Sequence, residues 1–136
     1  MIVVDASIAL AWVLPDSEQN QKHAANVAEF DVSGTEELVA PRLLTTECSY
    51  RLLKYGRSHR WGGAKIAETA EFIDLLNLRY FEITSPVASL VRFAVRHHVQ
   101  GYDAVYLGLA QRIGARLATL DGGLRTAARA AGVVVV

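Results

Sequence analysis

Short apolar runs alternate with amphipathic stretches along the whole chain. Ile2, Val3 and Val4 form a β-branched run that ends at Asp5, the pattern of a buried strand. Residues 7–14 read as a helix stopped by Pro15, and residues 19–30 as a second helix. Residues 38–40, just before Pro41, read as a short strand. Over residues 43–55 the apolar positions Leu44, Cys48 and Leu52 fall every fourth residue and Tyr55 closes the stripe. That spacing predicts a helix with one buried face, with Gly56 as its expected end. A helix over 65–78 carries Ile66, Ala70, Ile73 and Leu76 on one side. A strand over 80–83 and a helix over 87–99 follow, before Gly101. The last third predicts a helix over 103–113 closed by Gly114 and a strand over 116–120 ending at Asp121. A helix over 124–131 closed by Gly132 and a final strand over 133–136, apolar on both faces, complete the pattern.

Strands that are apolar throughout and separated by helices point to a parallel sheet covered on both sides. The expected fold class is therefore α/β, a three-layer α/β/α Rossmann-like sandwich with right-handed crossovers. The 136 residues fit one domain over 1–136, long enough to bury a core without disulfides. No repeat, low-complexity tract or linker interrupts it.

Composition adds limits rather than identity. The chain is 51% hydrophobic and 21% charged, a globular balance. The single cysteine, Cys48, rules out an intrachain disulfide and suits a reducing compartment, so a cytoplasmic location is expected. No apolar stretch reaches the roughly 20 residues of a membrane span. The first residues meet an acid at once and lack a basic segment, so no signal peptide is expected. Fourteen basic residues balance fourteen acidic ones, yet they are segregated. Lys54, Arg57, Arg60 and Lys65 cluster near His59, and Arg92 and Arg96 lie near His97 and His98. Such runs are ordinarily solvated helix faces. Their functional alternative is a phosphate-tracking rim drawn from Lys54, Arg57, Arg60, Arg92 and Arg96.

The acids carry the most chemistry. Open α/β sheets bind ligands beyond the carboxyl ends of their strands. Asp5 follows the first expected strand and Asp121 follows the strand over 116–120. Glu47 lies one turn into the helix after the second strand, and Asp103 opens the helix after Gly101. Carboxylates gathered at one edge repel unless protons or cations neutralise them, and an all-oxygen set selects hard ions such as Mg2+ or Mn2+. Each acid also has a plain structural use. Asp103 and Asp121 suit helix N-caps, and Glu47 can pair with Arg51 one turn later. Asp5 is harder to dismiss, because a charge directly after a buried strand needs a partner. Ser7 caps the first helix, or its hydroxyl orients Asp5 or a metal-bound water, and Thr119 reads as a β-branched strand residue. There is no Gly-x-Gly-x-x-Gly and no P-loop, so a dinucleotide site is not expected. The four histidines lack zinc spacing, and Asp5-Ala6-Ser7 lacks the second aspartate of a phosphoaspartyl phosphatase.

Read together, Val3-Val4-Asp5-Ala6-Ser7, Ala40-Pro41-Arg42-Leu43-Leu44 leading to Glu47, the run from Tyr102 to Ala110, and Leu117-Ala118-Thr119-Leu120-Asp121 resemble a PIN domain. Within that family they resemble the VapC-type toxins of bacterial toxin–antitoxin pairs. The resemblance spans essentially the whole chain. It implies a PIN fold with a central parallel sheet and an acidic tetrad on Asp5, Glu47, Asp103 and Asp121, with Ser7 and Thr119 in support. Asp5 and Asp103 would be the main ligands of Mg2+ or Mn2+, Glu47 a ligand or the group orienting the attacking water, and Asp121 an outer or second-metal ligand. The implied activity is endonucleolytic cleavage of single-stranded or structured RNA, neutralised by a cognate VapB-type antitoxin. It also implies a homodimer, for which Val27, Phe30, Leu52 and Tyr55 are candidate contacts unless they belong to the core. Family members often carry Asn where this chain has Tyr50. A PIN-fold binding module with little catalysis and a metal-dependent phosphoesterase are the alternatives.

Overall fold

The computed structural model describes residues 1–136. Its elements run β1 (Ile2–Val4), α1 (Ala6–Ala11), α2 (Glu18–Val32), β2 (Leu38–Pro41), α3 (Leu43–Ser58), α4 (Gly63–Asp74), β3 (Arg79–Phe81), α5 (Val87–His97), α6 (Gly101–Ile113), β4 (Arg116–Ala118) and α7 (Gly122–Ala130). The four strands form one all-parallel sheet in the order β3-β2-β1-β4. Every residue of β1 and β2 is buried, so both faces of the sheet centre are covered by helices, as the unbroken apolar runs require. The architecture is the expected three-layer α/β/α sandwich. A single core of 28 buried residues joins β1, β2 and β4 to the inner faces of the helices. No helix is long and apolar enough to cross a membrane.

Register positions the carboxyl edge. β1 pairs with β4 through Ile2↔Arg116, Val3↔Leu117 and Val4↔Ala118. The amide of Asp5 continues the ladder by donating to the Ala118 carbonyl at 3.2 Å. Residues 5 and 119 therefore leave the sheet side by side, although 114 positions separate them in the chain.

Several boundaries differ from those the pattern predicts. α1 ends at Ala11 rather than Leu14, and the Trp12 indole donates to the Ala24 carbonyl at 2.7 Å, which fixes the turn into α2. Gly56 does not end α3. It is buried inside the helix, and a Cβ there would stand 2.5 Å from Ile66 Cγ1. Its role is close approach to α4, not helix termination. α4 stops at Asp74, four residues before the expected end, and β3 covers Arg79–Phe81 instead of residues 80–83. α6 opens at Gly101 with Gln100 as its N-cap, so Asp103 lies in the first turn and is not a cap. The expected strand over 133–136 is reduced to one parallel bridge, Leu117↔Val135. It lies at the sheet edge with a partner on one side only, and Val134 is exposed rather than buried. Gly114 and Gly132 close their helices at φ +65° and +76°, as expected of glycines in the left-handed region.

Candidate active site

Asp5 is buried and takes three hydrogen bonds. Oδ1 accepts from the Ser7 hydroxyl at 2.5 Å and from the Ile8 amide at 3.2 Å, which makes Asp5 the N-cap of α1. Oδ2 accepts from the Thr119 hydroxyl at 2.5 Å. Burial pushes the Asp5 carboxyl above its usual range, while the bonds from Ser7, Thr119 and Ile8 oppose that shift. The same hydroxyls face the loop after β4. Ser7 Oγ accepts from the Leu120 amide at 2.8 Å, and Thr119 Oγ1 accepts from the Asp121 amide at 3.0 Å. Arg125 closes the loop from α7 by donating to the Thr119 carbonyl at 2.9 Å. Asp121 is the N-cap of α7, with Oδ1 accepting from the Leu124 amide at 2.7 Å. Its capping role is therefore real, and it leaves the second carboxylate oxygen uncommitted.

α3 and α6 bring the other two acids. Glu47 forms no ion pair with Arg51. Its Oε1 accepts from the Tyr106 hydroxyl at 2.9 Å. Tyr106 is fully buried on α6, and burial followed by the nearby Glu47 charge raises its pKa far above normal, so it remains a donor. Burial first, and then the charges of Asp121, Asp5 and Glu47, push Asp103 up to about 6. This electrostatic coupling places all four acids within one field.

All four acids and Ser7 line a single open cavity of about 1120 Å³. The chain's ion pairs join Arg42 to Glu82, Arg79 to Glu37, and Glu36 to both Arg116 and the N-terminal amine. None reaches the tetrad. No three acids, histidines or cysteines are grouped tightly enough to form a ready-made metal cage. The arrangement is a shared acidic pocket rather than a closed ligand shell. Thr119 lies behind Asp5, fully buried, and meets the site through its hydrogen bond to that carboxylate.

The basic residues fare less evenly. Lys54 lines the cavity, whereas Arg57, Arg60, Arg92 and Arg96 do not. Arg57 is exposed in the last turn of α3 and Arg60 just beyond it, and Arg92 and Arg96 are exposed on α5, which packs on α6. Arg51, one turn after Glu47, lines the wall instead. The expected dimer contacts are also relocated. Val27 and Leu52 are core residues, Phe30 packs on the core beneath Arg116, and Tyr55 stacks on His59. Tyr106 was not singled out by sequence pattern as a partner of Glu47. Its position three residues after Asp103, on the same helix face, is the signal that identifies it.

The sequence pattern of the PIN domain matches residues 2–130. The chain belongs to the PIN-domain family. Within that family this PIN domain is 33% identical over 125 residues to Ribonuclease VapC3 of Pyrobaculum aerophilum, covering 88% of each chain. It is 32% identical over 124 residues to Ribonuclease VapC9 of Mycobacterium tuberculosis, covering 89% of this chain and 86% of that one. Its fold matches the crystal structure of Mycobacterium tuberculosis VapC20, described as a sarcin-ricin loop cleaving toxin. The TM-score is 0.68 at 19% identity, with 100% of this chain and 98% of that chain covered. FitAcB from Neisseria gonorrhoeae matches with a TM-score of 0.66 at 20% identity, covering 99% and 96% of the two chains. The two structural likenesses speak to the fold, and the sequence relatives to the VapC type.

Proposed function

We propose that this PIN domain is a Mg2+- or Mn2+-dependent endoribonuclease, the cytoplasmic toxin of a toxin–antitoxin pair. The observation that carries the reading is the gathering of Asp5, Glu47, Asp103 and Asp121 in one open cavity with no protein cation paired to any of them. Negative charge held together in this way is electrostatically incomplete without a cation. No histidine or cysteine lines the cavity, so the donors are oxygens and suit a hard divalent ion. Relatives named ribonucleases, similar over nearly the whole chain, support the substrate class.

Asp5 and Asp103 are the main ligands in this reading, with Asp121 as an outer or second-ion ligand. When bound, the ion lowers the pKa of water toward neutrality and offsets charge gathering on the phosphate. Ser7 and Thr119 grip the Asp5 carboxylate from both sides, so it does not have to reorganise during the reaction. Tyr106 holds Glu47, which binds the ion or orients the attacking water. Arg51 and Lys54 offer phosphate contacts along the wall.

A VapB-type antitoxin and a homodimer belong to the same proposal and rest on similarity to VapC proteins. The apolar row Val87, Val91 and Val95 on α5, exposed at 82%, 55% and 69%, leaves surface for such association. Light scattering on the purified chain tests the dimer, with a strictly monomeric species at micromolar concentration opposing it.

The activity is tested by mapping cleavage sites in total RNA after brief expression, with Asp5→Asn as control. Discrete new ends with the active chain and none with the mutant are expected. Hydrolysis of a chromogenic phosphomonoester with no RNA cleavage would replace the ribonuclease reading with a small-molecule phosphoesterase.

A further inference from the structure

Two tyrosines in the acidic cavity have no partner in the fold. Tyr50 is 65% exposed and Tyr102 is 60% exposed, and both line the cavity that holds the four acids. The other two tyrosines there are engaged. Tyr55 stacks on His59 with ring centroids 3.8 Å apart, and Tyr106 is buried with its hydroxyl on Glu47. The remaining ring and cation pairs of the molecule join Trp61, Phe93, Tyr80, Phe81 and Phe30 to their neighbours. Neither Tyr50 nor Tyr102 takes part in any of them.

Their placement is defined by the hydrogen bond between Glu47 and Tyr106, which ties α3 to α6. Tyr50 lies three residues beyond Glu47 on α3, and Tyr102 lies four residues before Tyr106 on α6. Each is about one turn from that tether, roughly 4.5 Å of helix rise for Tyr50 and roughly 6 Å for Tyr102. Tyr102 also directly precedes Asp103. One unpartnered ring is therefore carried on each of the two helices that deliver acids to the cavity. Arg51 and Lys54 share the α3 wall with Tyr50. Aromatic faces alternating with cations is the arrangement that holds single-stranded nucleic acid, where bases stack on rings and phosphates meet the charges. Bases in a duplex have no free face to offer.

We propose that Tyr50 and Tyr102 are stacking platforms for unpaired bases flanking the phosphodiester held over the acids, and so make the site selective for single strands. This rests on the ribonuclease reading above. The platforms accept any base, because every base has a π face, and leave sequence choice to other contacts.

The test uses purified Asp5→Asn protein, which binds without cutting, and a labelled oligoribonucleotide offered as a single strand and as a blunt duplex. The Asp5→Asn parent is expected to prefer the single strand. Adding Tyr50→Ala or Tyr102→Ala weakens single-strand binding by roughly five-fold to a hundred-fold each. Duplex binding and the melting temperature stay unchanged, because both rings are exposed. Tyr50→Phe and Tyr102→Phe, which keep the ring and lose the hydroxyl, retain parental affinity. Unchanged affinity in both alanine variants, or Phe variants as weak as the alanine ones, overturns the platforms. If the parent binds the single strand and the active chain cleaves it, such a result leaves the ribonuclease standing. If the parent binds no single strand and the active chain cuts none, both fall together.

Discussion

Thr119 is a plain β-branched residue by sequence and a structural keystone by position. Its hydroxyl donates to Asp5 Oδ2 in the buried interior and accepts from the part-buried Asp121 amide. Thr119→Val keeps the shape but strands the Asp121 amide and frees one oxygen of Asp5. Denaturant unfolding should show a loss of about 1–3 kcal/mol, the cost of leaving buried polar groups unpaired. A change below a few tenths would mean the hydroxyl is idle. Asp5 itself is legible from sequence, because an acid directly after an all-apolar strand needs a reason. Its partner is not, since the contact depends on the parallel register that sets residue 5 beside residue 119. Asp103 shows the reverse error. Its place near a helix start suggests a cap, yet it lies inside the first turn of α6 with its carboxyl directed to the acidic cavity.

At the scale of elements, the clearest misreading is also the most testable. Local rules make Gly56 a helix end, but α3 runs on to Ser58 because the glycine makes room for Ile66 of α4. In an open helix Gly→Ala would gain about 1 kcal/mol from propensity. Here the new Cβ would meet Ile66 Cγ1 at 2.5 Å and Cδ1 at 2.7 Å, an overpacking that costs about 1–3 kcal/mol. Gly56→Ala should therefore destabilise, and the double change Gly56→Ala/Ile66→Ala should cost less than the sum of its parts. Strict additivity would show that the helices do not meet there. The α3–α6 tether makes a second case. Tyr106→Phe leaves the core filled and releases Glu47 Oε1, so Mn2+ affinity measured by calorimetry should fall several-fold while the fold persists. Helix periodicity indicates which face is apolar but not which way the polar face points across the molecule. That is why Lys54 could be placed at the site while Arg57, Arg60, Arg92 and Arg96 fall outside its lining.

For the whole molecule, a formal charge of zero conceals an unbalanced centre. The basic and acidic totals cancel, yet the ion pairs lie elsewhere and the cavity retains its acids. Asp103, its pKa raised first by burial and then by the charges of Asp121, Asp5 and Glu47, carries this into its proton affinity. Its folded pKa of about 6 stands above the usual 3.8, so the folded state binds this proton more tightly than the unfolded chain. That stability is fully present below about pH 4 and is lost as pH rises through about 6. Metal-free protein should thus melt lower at neutral pH than this group alone allows under acid. Asp103→Asn should remove that part of the slope and raise the neutral, metal-free melting temperature by a few degrees. An unchanged slope would mean that burial and the neighbouring acids do not raise the Asp103 pKa in the folded protein. Saturating Mn2+ should stabilise the parent by about 2.7 kcal/mol at a hundred times its dissociation constant. The overall topology was open to sequence reading because runs and helices alternate so regularly. The cavity was only partly so, since α3 and α6 meet it through contacts that cross the chain.

The most direct test of the central claim is cleavage of a single-stranded RNA by purified, chelator-treated protein as Mn2+ is restored, with Asp103→Asn beside the parent. The parent should be silent without the ion and recover activity along a saturating curve. Asp103→Asn should lose at least a hundred-fold at the same ion concentration while remaining folded. Cleavage that persists through chelation, or an Asp103→Asn protein that cuts as fast as its parent, would contradict the proposal that these four carboxylates form a metal-dependent nuclease centre.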